Sequence, residues 1–158
     1  RDRAVANVEP VFVFTSSTSS VRTCLASQRA VRFFLMSVST STPESISENE
    51  ILLPANNAAL ILESLSNVLE THAEENVFLI FDSLSELLGS MDLEKTYSFL
   101  HYVLDILSSA KATALFLLNT NAHEPQVVSC LKELFRNQLV YRGNQLKVVK
   151  GFLNERVS

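Results

Sequence analysis

Asp82 is the side chain best placed to do chemistry. It follows directly on Val77–Phe81 (VFLIF), a short apolar run of the kind that forms a buried strand. A carboxylate at such a strand end is where nucleotide-hydrolysing folds hold Mg²⁺, usually through water. The metal would need phosphate oxygens beside it, and those need a backbone cradle. The motif G-x-x-x-x-G-K-[ST] does not occur in these 158 residues, whose only glycines are Gly89, Gly143 and Gly151. No glycine precedes Gly89, so no relaxed form of that loop stands upstream of Asp82. A helix cap or a buried, hydrogen-bonded carboxylate is then the better account of Asp82.

Other strand ends are rich in hydroxyls: Thr15-Ser16-Ser17-Thr18-Ser19-Ser20, Ser37 to Thr42, Asp82-Ser83 and Asn119-Thr120-Asn121. Open α/β sheets bind ligands beyond the carboxyl ends of their strands. A rim made by Thr15, Ser16, Asp82, Ser83 and Asn119 could therefore hold a small ligand. The same residue types also cap helices and form turns, and that is the preferred explanation here. His72, His101 and His123 fall on or near different helical patterns, without the i, i+4 spacing of a metal pair. Ser83 lacks the G-x-S-x-G elbow of a hydrolase nucleophile. No catalytic residue, metal or cofactor is expected.

These residues must be positioned by alternating strands and helices. Val11–Phe14, Val31–Met36, Val77–Phe81 and Ala114–Leu118 read as strands buried on both faces. A short helix is expected from about Ser20 to Gln28. Pro54 can open a second helix, with Ala58, Ile61, Leu65, Val68 and His72 at helical spacing. Asp92 can cap a third, whose stripe is Leu93, Tyr97, Leu100, Leu104 and Leu107. Pro125 opens a fourth, carrying Val128, Leu131, Leu134 and Phe135. Ser37–Asn49, rich in Ser, Thr and Glu, reads as an exposed loop. Gly143-Asn144 is a hairpin turn between Gln138–Tyr141 and Gln145–Val149. This order argues for a three-layer α/β sandwich with a mainly parallel sheet of about five strands and a C-terminal β-hairpin.

Composition narrows the function. The chain has 13 basic and 17 acidic side chains, hence a net charge of −4, and no Lys/Arg cluster to grip phosphate backbones, so no nucleic acid is expected. No apolar run approaches the ~20 residues of a membrane span, and no signal peptide opens the chain, so no membrane is expected. Cys24 and Cys130, each in an apolar helical pattern, read as buried free thiols and suggest a cytoplasmic protein. Arg142, Lys147 and Lys150 place a small basic edge on the final hairpin, a device that protects edge strands from aggregation.

Asn76–Leu88 (NVFLIFDSLSELL), followed by Leu93–Tyr97 and later by Ala114–Asn119, resembles RecA-type ATPases of the KaiC-like group. The likeness runs from about Val11 to Lys150. In that group an apolar strand ends in Asp-Ser, the Walker B position, which falls here on Asp82 and Ser83. Val11–Thr15 through Val21-Arg22 is similar to the strand and helix that come after the P-loop, and Leu146–Lys150 to the closing hairpin. The P-loop strand and its lysine have no counterpart. Phe152 stands where an Arg is expected after Lys150, which leaves the nucleotide-reaching Lys-x-Arg arrangement incomplete. The chain is most similar to archaeal KaiC-like domains of unknown function that lack a P-loop. The resemblance implies a single RecA-like domain over residues 1–158, degenerate for ATP binding and not an enzyme. It implies a regulatory or protein-interaction role, through a protein partner or self-association. The alternative is a nucleotide- or small-ligand-binding sensor, or a fragment of a longer ATPase, using the rim around Asp82.

Overall fold

All four apolar runs become strands, the first two with most residues buried, while the fourth, Ala112–Leu117, is an edge strand with none buried. In the computed structural model, which describes residues 9–28 and 30–150, strand β1 (Val11–Ser16) buries Phe12, Val13, Phe14 and Thr15 in succession. It sits inside a six-stranded sheet with β2 (Val31–Ser37), β3 (Glu44–Ser47), β4 (Glu50–Pro54), β5 (Val77–Asp82) and β6 (Ala112–Leu117). The order is β3-β4-β2-β1-β5-β6. Every neighbouring pair is parallel except β3–β4. Among the described residues four helices accompany the sheet: α1 (Ser20–Leu25), α2 (Ala58–Thr71), α3 (Leu84–Ser90) and α4 (Leu93–Ser108). Together these elements, up to Asn119, form the first of two compact units.

Pleating sends alternate side chains to opposite faces, and the helices divide accordingly. On one face Val21 and Leu25 of α1 pack against Val13, Val31, Phe33 and Leu35. On the other lie α2 and α4, which contact each other. His72, just past α2, sets its ring 5.3 Å from that of Phe12. The register places Phe34, Phe14, Phe81 and Phe116 in one row across β2, β1, β5 and β6. Their rings stack at 4.7, 4.7 and 4.8 Å, nearly parallel to one another. That spacing is the distance between neighbouring strands, so the backbone ladder and the aromatic stack reinforce one register. The Phe-rich strands are core.

Some expectations change. The sheet has six strands rather than about five, because β3 adds antiparallel at one edge. Glu44–Ser47 falls within the expected loop; every one of its residues is exposed, so it carries no apolar alternation to read. Pro54 closes β4 instead of opening a helix, and the backbone N–H of Ala55 donates to the Ser37 carbonyl at 2.8 Å. Asn57 caps α2 in its place, its Oδ1 accepting from the Leu60 N–H at 3.1 Å. Asp92 caps α4 as expected, accepting from the Lys95 N–H at 2.8 Å. Of the expected stripe Leu93, Tyr97, Leu100, Leu104 and Leu107, Leu100 alone is fully buried; Thr96, Phe99 and Val103 join it, so the buried face of α4 is turned from that line. Cys24 is exposed and Cys130 half-buried, not the buried thiols expected.

The second unit begins at Thr120. A short 3-10 turn (Thr120–Ala122) leads to α5 (Pro125–Lys132), opened by Pro125 in its first turn. Strands β7 (Gln138–Arg142) and β8 (Gln145–Lys150) pair antiparallel as the expected hairpin. Gly143 and Asn144 both take positive φ, +54° and +61°, as a primed two-residue turn requires. The side-chain amide of Gln138 ties the start of β7 back by donating to the carbonyls of Lys132 and Phe135. Among the described residues no helix is long and apolar enough to cross a membrane. Phe152 lies outside the described residues.

Candidate functional site

Register brings the candidate carboxylate to its partner. Val13 pairs with Ile80, so two residues further along the parallel strands Thr15 stands beside Asp82 on the same face. Thr15 Oγ1 donates to Asp82 Oδ2 at 2.7 Å. Ser19 Oγ donates to the same oxygen. Ser19 is also the N-cap of α1, its Oγ accepting from the Val21 N–H at 3.1 Å. Thr15 is fully buried, while Asp82 and Ser19 are half-buried. One carboxylate oxygen thus joins the end of β1, the start of α1 and the end of β5.

Hydrogen bonds to an ionised acceptor are about twice as strong as neutral ones. A hydrated cation at Oδ2 would have to compete with two hydroxyls already in place. Among the described residues no three His, Cys, Asp or Glu side chains gather into a metal-binding group. The strand-end loops Thr15–Ser20, Ser37–Thr42, Asp82-Ser83 and Asn119–Asn121 contain no Lys or Arg. Arg22 of α1 does reach the first loop, its Nη1 donating to the Ser17 carbonyl at 2.8 Å. It is also ion-paired, with Nε at 2.8 Å and Nη2 at 2.7 Å from Glu50 Oε2. A rim with one negative charge and many hydroxyls suits a neutral or cationic hydrogen-bonding group. A polyphosphate there would need cations or a nest of free N–H groups to offset that charge.

The five candidate residues separate. Thr15 and Asp82 are brought together, and Ser83 follows through a cis peptide bond. Ser83 holds the N-cap position of α3, yet its side chain makes no capping bond. Ser16 Oγ lies 3.5 Å from Thr18 Oγ1, away from the carboxylate pair. The backbone N–H of Asn119 donates to Ser85 Oγ at 3.3 Å. Ser19 is the partner that reading the sequence did not single out. Its signal was the N-cap position before Val21 and Leu25, shared with five neighbouring hydroxyl residues. The histidines stay apart: His72 Nδ1 meets Glu75 at 2.9 Å and His101 Nδ1 approaches Asp105 at 3.7 Å.

A model of a family of unknown function, DUF7504, matches residues 2–137. No curated protein matches the sequence. Among solved structures the chain is similar to a protein of Pyrococcus horikoshii OT3 studied under the project identifier PH0250. That likeness has a TM-score of 0.54 and 11% identity, and covers 98% of this chain and 93% of that one. The chain is also similar to the flagellar accessory protein FlaH of Methanocaldococcus jannaschii, with a TM-score of 0.37 and 17% identity, over 96% of this chain and 84% of that one. The Pyrococcus likeness is one of fold.

Proposed function

The chain belongs to DUF7504, a family of unknown function, and we propose that it is a RecA/KaiC-like domain that neither binds nor hydrolyses ATP and acts by binding protein. The observation that carries this reading is the clamp on Asp82. In an active nucleotide site that carboxylate would face a hydrated metal and phosphates; here Thr15 and Ser19 donate to it directly. Two further features support it. These residues hold no G-x-x-x-x-G-K-[ST] sequence. The strand-end loops themselves carry no Lys or Arg, the nearby Arg22 is paired with Glu50, and Asp82 would repel a triphosphate.

Calorimetric titration of MgATP and MgADP into the purified chain, at about 100 μM protein, tests this; a millimolar site would still register there. The expected result is no saturable heat. Saturable binding that Asp82→Asn abolishes would overturn the proposal and install a nucleotide sensor or ATPase at the strand-end rim.

A further inference from the structure

The face of the sheet opposite Asp82 carries an open groove of about 380 Å³ between α2 and strands β2 and β4. Thr15 and Asp82 share one face, so Phe12, Phe14 and Phe34 point to the other. The floor of the groove is apolar: Phe12, Phe34 and Val68 are buried, and Ile51 of β4 is 36% exposed. Its wall is α2, which leaves the end of β4 and returns to the start of β5, so it runs antiparallel to both strands. Glu63 lines the groove near the start of α2, and Thr71 and His72 line it at the other end. Arg32 belongs to that second end, because it pairs with Phe12, whose ring lies 5.3 Å from that of His72. Glu63 and Thr71 are eight residues apart, and at 1.5 Å per residue the groove offers an acid and a base about 12 Å apart.

Both charges are unclaimed. Among the described residues the side chains of Arg32 and Glu63 make no hydrogen bond or ion pair, and Glu48, which also lines the groove, pairs with neither. An apolar floor with a few directed polar groups is the usual make-up of a binding cleft. Extended chain rises about 3.3 Å per residue, so side chains at i and i+4 lie about 13 Å apart on one face, with i+2 between them. That spacing matches the two charges, and i+2 falls over Phe34 and Ile51. A free amino acid, whose two charges flank one carbon, cannot reach both. We infer that the groove binds an extended segment of a partner protein, with an acidic side chain on Arg32, an apolar one on Phe34 and Ile51, and a basic one on Glu63. This rests on the protein-binding role proposed above and specifies the segment recognised.

The chain contains no tryptophan, so the fluorescence of a tryptophan peptide reports the peptide's own burial. The probes are the end-capped pentapeptides Glu-Thr-Trp-Thr-Lys and Lys-Thr-Trp-Thr-Glu, titrated with the nucleotide-free chain up to about 200 μM. The expected result is a saturable blue shift for at least one of the two. Arg32→Glu and Glu63→Lys, both at exposed positions, should each weaken binding at least about fivefold, because each replaces an attraction by a repulsion. Exchanging both charges together should restore binding, with the peptide of opposite order now preferred, a result that a merely structural role would not give. Unchanged circular-dichroism melting shows that the variants still fold. The proposal is overturned if neither peptide saturates, if the single variants bind unchanged, or if the double exchange fails to restore binding. It is equally overturned if free tryptophan binds as tightly as the peptides, which would assign the groove to a small aromatic molecule. The groove and Asp82 lie on opposite faces and no nucleotide is present, so failure here leaves the outcome of the ATP titration independent.

Discussion

Replacing Thr15 by Val keeps the shape of a fully buried side chain and removes one donor from Asp82 Oδ2. Hydrogen bonds to charged groups contribute about 1.5–3 kcal/mol, so Thr15→Val should lower unfolding stability by that amount in urea denaturation. Asp82→Leu leaves two hydroxyls without their acceptor, and the buried Thr15 hydroxyl has no water to turn to. It should cost more than the ~1 kcal/mol of an exposed helix cap. Equal, near-zero effects in both variants would show that the clamp contributes nothing to the fold. Asp82 was legible in the sequence because it ends an apolar run, and Thr15 because it ends another. Ser19 was not. Six consecutive hydroxyl residues look alike in a sequence, and the one that reaches the carboxylate is decided by the register of β1 on β5 and by the first turn of α1.

At the scale of elements, the row Phe34-Phe14-Phe81-Phe116 separates central strands from edges. Phe14 is fully buried and stacked on both sides, so Phe14→Ala should cost about 3–5 kcal/mol. Phe116 is half-buried on the sheet-edge strand β6 and should cost clearly less. A parallel comparison tests the helix face: Leu100→Ala should cost about 2–5 kcal/mol and the half-buried Leu104→Ala less. Thermal or urea melts of the two pairs give the ordering, and a reversal in either would contradict the burial assigned to that element. The four apolar strands were readable because continuous apolar runs have few other uses. But β6, expected to be buried on both faces, is an edge strand with no buried residue, and a sequence does not show which strand ends the sheet. Strands β3 and β4 were not, because the first is wholly exposed and the second ends in a proline, a residue that also opens helices. The turned face of α4 was missed for a related reason. Leucine and tyrosine at helical spacing mark more than one stripe, and the side that meets the sheet is settled by packing rather than by periodicity.

For the whole molecule, local stability should follow the order of strands. β1 has a hydrogen-bonded neighbour on each side and four buried residues in a row, whereas every residue of β8 is exposed and the hairpin is a two-stranded sheet. Amides in such different settings open by different routes: those of a central strand through near-global unfolding, those of an uncovered hairpin through local fraying. Hydrogen exchange on the dilute chain should therefore show β1 and β5 exchanging slowest and β7–β8 among the fastest paired segments. Hairpin amides that exchange as slowly as those of β1 would contradict the exposure of β8 and its two-stranded pairing.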